Sequence, residues 1–190
     1  MGIDFDCDFK KSMYQIQQNL KEHAIKGRWK HIDNFHLTLK FLNQVNLDQR
    51  KKIDLEMEKL CASQKVFNLG IEGLGIFQGR GVIRVLYLDL GGDLLQLQSL
   101  YAAIEKGLKS IGFASEIRKY RPHITIGQDI IFKREFKELQ QLVGQFEFKP
   151  FKVNSIFLFK SEQVQNKRIY TRIIKNYNRK VSRGAMREND

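Results

Sequence analysis

The sequence predicts an α+β fold built as a duplicated unit, mainly antiparallel, in which each half donates one short motif to a shared cleft. Three observations predict it. Helical and strand-like hydrophobic periods alternate along the chain with hairpin signals among them, an order that suits an antiparallel sheet better than a doubly wound one. The motif His-x-Thr occurs twice, as His36-Leu37-Thr38-Leu39 and His123-Ile124-Thr125-Ile126, 87 residues apart, and each copy follows a helical pattern. Finally, 42% of the 190 residues are apolar, enough for the core of one ordinary domain or of two small lobes that share one.

Met1 to Phe9 reads as a short extended segment. Lys10 to His23 follows as a helix, with Met13, Ile16, Gln17 and Leu20 at helical spacing and Gly27 beyond it as a stop. Arg28 to Ile32 is extended, Asp33-Asn34 is a turn signal, and Phe35 to Leu42 is the first His-x-Thr strand. Asp48 to Ala62 is a second helix with a ragged apolar face of Ile53, Leu55, Met57, Leu60 and Cys61. Val66 to Phe77 is strand-like but broken by Gly70, Gly73 and Gly75, read as turn and bulge glycines. Gln78-Gly79-Arg80-Gly81 marks a hairpin turn into the β-prone run Val82 to Leu90.

Asp93 is placed to cap a helix over Leu94 to Ser110, which Gly112 closes. Pro122 leads into the second His-x-Thr strand. A helix over Arg134 to Leu142, strands at Phe146 to Phe148 and Val153 to Lys160, and a last strand at Ile169 to Lys175 complete the pattern. Charge then dominates. Residues 1–176 are expected to form one domain and 177–190 a basic, mobile tail.

The duplicated motif carries the chemistry. Four histidines and three threonines in 190 residues would give about 0.06 His-x-Thr pairs by chance, and two are present. Alternation along a strand puts His36 with Thr38, and His123 with Thr125, on one face, and the leucines and isoleucines on the other. A pair of imidazoles supplies one base and one acid near neutral pH, which in-line displacement at phosphorus requires. A hydroxyl beside each imidazole can donate to the non-bridging oxygens. Such a site needs neither metal nor covalent intermediate, and no cofactor is expected. Zinc would need three or four ligands, and His31, Cys7 and Cys61 show no ligand spacing.

The net charge of +12 admits a nucleic-acid partner, although part of the excess lies in the expected tail. No apolar run is long enough for a membrane span, and the first residues carry acids where a secretory signal needs basic and apolar ones. The expectation is a cytoplasmic protein without a membrane partner, monomeric by default.

The motifs resemble the doubled H-x-T-x signature of the 2H phosphoesterase superfamily. Arg28-Trp29-Lys30 followed by Asn34 to Leu42 resembles the corresponding block of its RNA 2′,3′-cyclic phosphodiesterases, also called 2′-5′ RNA ligases. Tyr120-Arg121-Pro122-His123 resembles that family's approach to the second motif, and Val153 to Ser161 with Tyr170 its closing strands. The resemblance implies a bilobal fold, with two mainly antiparallel sheets facing across a central basic cleft and helices on the outside. It implies hydrolysis of RNA 2′,3′-cyclic phosphate ends to 2′-phosphates, with reversible, ATP-independent 2′-5′ ligation. The implied partner is RNA with such ends or with 2′-5′ linkages, tRNA fragments included.

By family pattern His36 is the proton donor to the departing O3′, and His123 the acceptor that activates water. Thr38 and Thr125 hold the phosphate oxygens, and Tyr120, Lys40 and Gln128 are expected to contact substrate. The chain departs from the pattern at Asn43, where the family has Gly. It departs again at Gln128, where the family commonly has an Arg whose charge Gln128 does not supply. Two rival readings remain open: a phosphodiesterase for small cyclic nucleotides or ADP-ribose cyclic phosphate, and a non-catalytic RNA- or nucleotide-binding module.

Overall fold

A computed structural model describes residues 1–165 and 167–178. In chain order they form β1 (Gly2–Asp4), α1 (Cys7–Glu22), β2 (Ala24–Trp29), a 3₁₀ turn (Ile32–Asn34), β3 (His36–Thr38), α2 (Leu47–Ser63), β4 (Phe67–Gln78) and β5 (Ile83–Gly92). There follow α3 (Leu94–Ser110), β6 (Ile124–Phe132), α4 (Phe136–Val143), β7 (Phe151–Val153), β8 (Ser155–Val164) and β9 (Lys167–Asn178). The last strand extends two residues into the expected tail, because Asn178 and Tyr177 pair with Ser155 and Ile156. Residues 179–190 lie outside the described residues.

The strands form two antiparallel sheets, one ordered β3-β1-β8-β9 and the other β2-β6-β5-β4-β7. Each sheet therefore carries one His-x-Thr motif, and the two motif strands are neighbours in space. A single apolar cluster draws on both sheets and all four helices, so the two halves share one core.

Capping fixes where the helices begin. The Asp6 carboxylate accepts from the Phe9 amide at 2.8 Å, so α1 starts at Cys7, before the apolar pattern itself begins. Its inner face buries Phe9, Met13, Ile16, Gln17 and Leu20. The helix α2 has a ragged pattern, with Leu55 60% exposed, yet it opens on a reciprocal cap between Asn46 and Gln49. At α3 the expected cap is absent. The Asp93 carboxylate instead accepts from the Asn68 amide at 2.9 Å and ties the helix entry to the edge of β4.

Other expectations also change. Gly27 does not stop α1. It lies inside β2, where a Cβ would come within 2.7 Å of the Ile130 side chain on β6, so the residue permits close strand approach. Phe146 to Phe148 is not a strand: the two rings pack on the core just after α4. Asn43 adopts φ of 55°, a left-handed conformation that Gly takes freely and Asn tolerates, which accounts for the departure noted at that position.

Candidate active site

The first motif begins where the 3₁₀ turn hands over to β3. Leu37 and Leu39 are buried, while His36 and Thr38 are half-buried on the other face. Nδ1 of His36 lies 2.8 Å from the Asn34 carbonyl oxygen. A carbonyl only accepts, so Nδ1 carries the proton and Nε2 of the neutral ring is left as an acceptor. The ring stacks on Phe159, with centroids 5.0 Å apart, and meets Tyr170 at 4.7 Å. The Phe159 ring passes over Gly2, where a side chain would meet both it and the Leu37 carbonyl.

Asn34 does more than turn the chain. Its amide Nδ2 donates to the Arg168 carbonyl at 2.8 Å, and its Oδ1 accepts from the Tyr170 amide at 3.2 Å. One residue thus orients His36 through its backbone and grips β9 through its side chain.

The second motif repeats the device. Nδ1 of His123 donates to the Arg121 carbonyl at 2.7 Å, again two residues upstream, and again leaves Nε2 as acceptor. Ile124 and Ile126 are fully buried, and His123 and Thr125 are half-buried. Phe77 meets the His123 ring edge-on at 5.0 Å, and Tyr87 lies at 5.2 Å. Tyr87 pairs across the strands with both Thr125 and Gly75, and its ring occupies the space a Cβ on Gly75 would take. Gly75 is thus neither a turn nor a bulge residue. The register does shift between Ile71 and Gly73, as a bulge glycine there would require.

Burial holds both imidazoles neutral at pH 7. It pushes His36 down to about 4, helped by the nearby Lys30 charge and opposed by the bond to Asn34. His123 is pushed down by burial as well, against its bond to Arg121 and the Asp89 carboxylate.

Lys40 and Tyr120, both expected to contact substrate, also make contacts within the fold. The Lys40 ammonium, 8% exposed, pairs with Glu105 at 2.6 Å and donates to the Ala114 carbonyl at 2.8 Å. The Tyr120 hydroxyl donates to the Thr38 carbonyl at 3.2 Å, and its ring stacks on Tyr101 at 4.0 Å. Both link the first motif to the chain leading into the second. Gln128 stands half-buried on β6 opposite Arg28 of β2, whose guanidinium pairs with Asp129.

A cavity of about 1240 Å³ opens beside the first motif. His36, Thr38, Lys40, Ser161, Arg168 and Tyr170 line it, together with the loop into α2. The second motif is not among its lining. Among the described residues, no three His, Cys, Asp or Glu side chains gather as a metal site. No helix among them is long and apolar enough to cross a membrane. The sequence reading missed Asn34 as an anchor, and Phe77, Tyr87 and Arg168 altogether. For Arg168 a signal existed, since Arg168, Tyr170 and Arg172 alternate along one strand.

This fold and this pair of motifs match one family. A model described as "2′-5′ RNA ligase superfamily" matches residues 12–165, and the chain belongs to that superfamily. The RNA 2′,3′-cyclic phosphodiesterase of Methanocaldococcus jannaschii is 29% identical over 172 residues, covering 90% of this chain and 94% of that protein. Its counterpart from Thermotoga maritima is 29% identical over 156 residues, covering 80% and 79%. Among solved structures, E. coli LigT complexed with 3′-AMP superposes with a TM-score of 0.74 at 21% identity, over 94% of this chain and 95% of that one. TT0787 of Thermus thermophilus also gives 0.74, at 15% identity over 93% and 94%. These two likenesses show the shared fold.

Proposed function

We propose that this protein hydrolyses RNA 2′,3′-cyclic phosphate ends to 2′-phosphates by paired-histidine acid–base catalysis. The observation that carries the reading is the repeated arrangement of the histidines. Each Nδ1–H is held by a carbonyl two residues upstream, and each strand sets a threonine beside its imidazole. The names of relatives that cover most of the chain support the same reaction.

In this reading Nε2 of His123 takes a proton from water as its oxygen attacks phosphorus. The P–O3′ bond breaks, and His36 delivers a proton from Nε2 to O3′. Thr38 and Thr125 donate to the non-bridging oxygens as charge builds there. The product carries a 2′-phosphate and a 3′-hydroxyl, and proton exchange with solvent resets the pair. His36 must acquire its second proton to act as the acid, and the negative charge of the bound cyclic phosphate favours that proton. A 5′-hydroxyl in place of water would leave a 2′-5′ linkage, without ATP. The expected partner is RNA, tRNA fragments included, and the expected setting is a monomer in the cytoplasm.

A second reading exchanges the two roles. Asp89 favours a proton on His123, while Lys30 disfavours one on His36. His36→Ala and His123→Ala should each abolish turnover of a short RNA bearing a 2′,3′-cyclic phosphate. Full activity in either variant would contradict the pairing. A substrate with sulfur at the 3′ bridging position then assigns the roles, since a thiolate leaves without an acid. Rescue of His36→Ala alone supports His36 as donor, and rescue of His123→Ala alone supports the exchange.

A further inference from the structure

The cations around the site differ in how their charge is met. Lys10 and Arg172 share the Asp4 carboxylate, Lys40 has Glu105, and Arg28 has Asp129. Lys30 and Arg168 have no carboxylate partner among the described residues. Lys30 follows β2, where its backbone N–H bonds to the Ile126 carbonyl inside the second motif. Its ammonium sits 5.3 Å from the centre of the Tyr170 ring, the same ring that meets His36. Arg168 lies two residues before Tyr170 on β9, so both share a face, and its Nη1 donates to Ser161 Oγ at 3.1 Å. Arg168, Ser161 and Tyr170 border the cavity that His36 opens into.

Two like charges held close without a counter-charge repel one another, and an anion between them removes the repulsion. The Lys30 ammonium registers this, being pushed below its ordinary range by burial and by Arg168 and Arg28. The reacting phosphate belongs beside the two Nε2 atoms, and Lys30 meets the same Tyr170 ring that His36 meets, with Arg168 two residues before it on β9. A strand whose 2′ and 3′ oxygens are closed in the cyclic phosphate continues only on its 5′ side. A second phosphate from the same molecule must therefore come from there.

We propose that Lys30 and Arg168, with the Ser161 hydroxyl, form a second anion subsite that takes the phosphate on the 5′ side of the terminal nucleotide. The subsite rests on the reaction proposed above. It makes the preferred substrate a nucleotide carrying that phosphate, and it selects against a bare nucleoside 2′,3′-cyclic phosphate. The phosphate can be a terminal monoester or the diester of a longer RNA.

The test compares kcat/KM for three substrates: a nucleoside 2′,3′-cyclic phosphate, its 5′-phosphorylated form, and a dinucleotide with the same end. The dinucleotide should exceed the bare nucleoside by at least about tenfold, mainly through KM, as expected for a charge-assisted contact. In Lys30→Met and in Arg168→Gln that ratio should fall to within about threefold of unity, and Lys30→Arg should preserve it. An equal advantage for the 5′-phosphorylated nucleoside supports a subsite that reads any phosphate, and an advantage for the dinucleotide alone supports one that reads the diester. A wild-type ratio near one, or variants that slow all three substrates alike with the melting temperature unchanged, would overturn the subsite while leaving the reaction intact. Failure to turn over any substrate would instead overturn the reaction. Binding of a dinucleotide 2′-phosphate against a nucleoside 2′-phosphate, in wild type and Lys30→Met, would then test the subsite by the same ratio.

Discussion

Asn34 illustrates how much of the site depends on one side chain acting at a distance. Its two β9 contacts come from residues 134 and 136 positions downstream, so no local pattern could announce them. The faces of His36-Leu37-Thr38 and His123-Ile124-Thr125, by contrast, were legible from alternation alone, because a strand fixes them locally. Asn34→Ala should cost about 1–2 kcal/mol of stability, since it strands a carbonyl and an N–H next to His36. It should also lower kcat for cyclic phosphate hydrolysis about tenfold through the displaced ring partners. An unchanged kcat would remove Asn34 from the positioning of the site.

Burial of the neutral imidazole also links stability to pH. The His36 pKa in the fold, about 4, lies below the ordinary 6.5 that the unfolded chain shows, so the unfolded state binds more protons between these values. The stability that this group contributes is complete above pH 6.5 and is lost as pH falls toward 4. Its upper bound is about 3 kcal/mol. Thermal melting should therefore fall by several degrees more in the wild type than in His36→Gln between pH 7 and pH 4. Parallel curves would contradict this account of His36.

Strands and helices divide along similar lines. Helices with a clean apolar stripe, α1 and α3, were legible in their inner faces; α1 starts earlier than its periodicity because Asp6 caps it, whereas α3 starts at Leu94 as expected without a side-chain cap from Asp93. The glycines of β4 and β2 were visible but not their purpose, because close approach depends on the strand placed opposite. Gly75 makes room for the Tyr87 ring that packs against His123, and Gly27 makes room for Ile130. The Phe146-Glu147-Phe148 alternation misled because two rings facing a core look the same in a strand and in an irregular segment. Gly75→Ala should displace the Tyr87 ring, lower stability by about 1–3 kcal/mol, and reduce activity more than an alanine at Gly70, where nothing lies within 4 Å of the added carbon. Equal effects at both positions would show that the ring does not support His123.

Across the molecule, Lys40 and Tyr120, both expected to contact substrate, also join the two motifs. Lys40 sits in the first motif block, and its charge suggested RNA. The fold buries it against Glu105, because a buried ammonium requires a partner. Lys40→Met should therefore cost about 3–5 kcal/mol of stability through the uncompensated carboxylate. In the fraction that stays folded, KM for a cyclic phosphate end should change little. A large rise in KM with stability intact would return Lys40 to the substrate. The Tyr120 hydroxyl on the Thr38 carbonyl makes a second such link. The overall architecture was legible because the motif is duplicated, whereas the cross-links that hold the copies together are long-range and appear only in the fold. In the proposed reaction the paired histidines open an RNA 2′,3′-cyclic phosphate at the 3′ oxygen without a metal. The most direct measurement is end-group analysis of a short RNA bearing that end, incubated with the protein in EDTA. A 2′-phosphate product that disappears in both His36→Ala and His123→Ala is the predicted result. A 3′-phosphate product, activity lost in EDTA, or turnover that survives either substitution would contradict it.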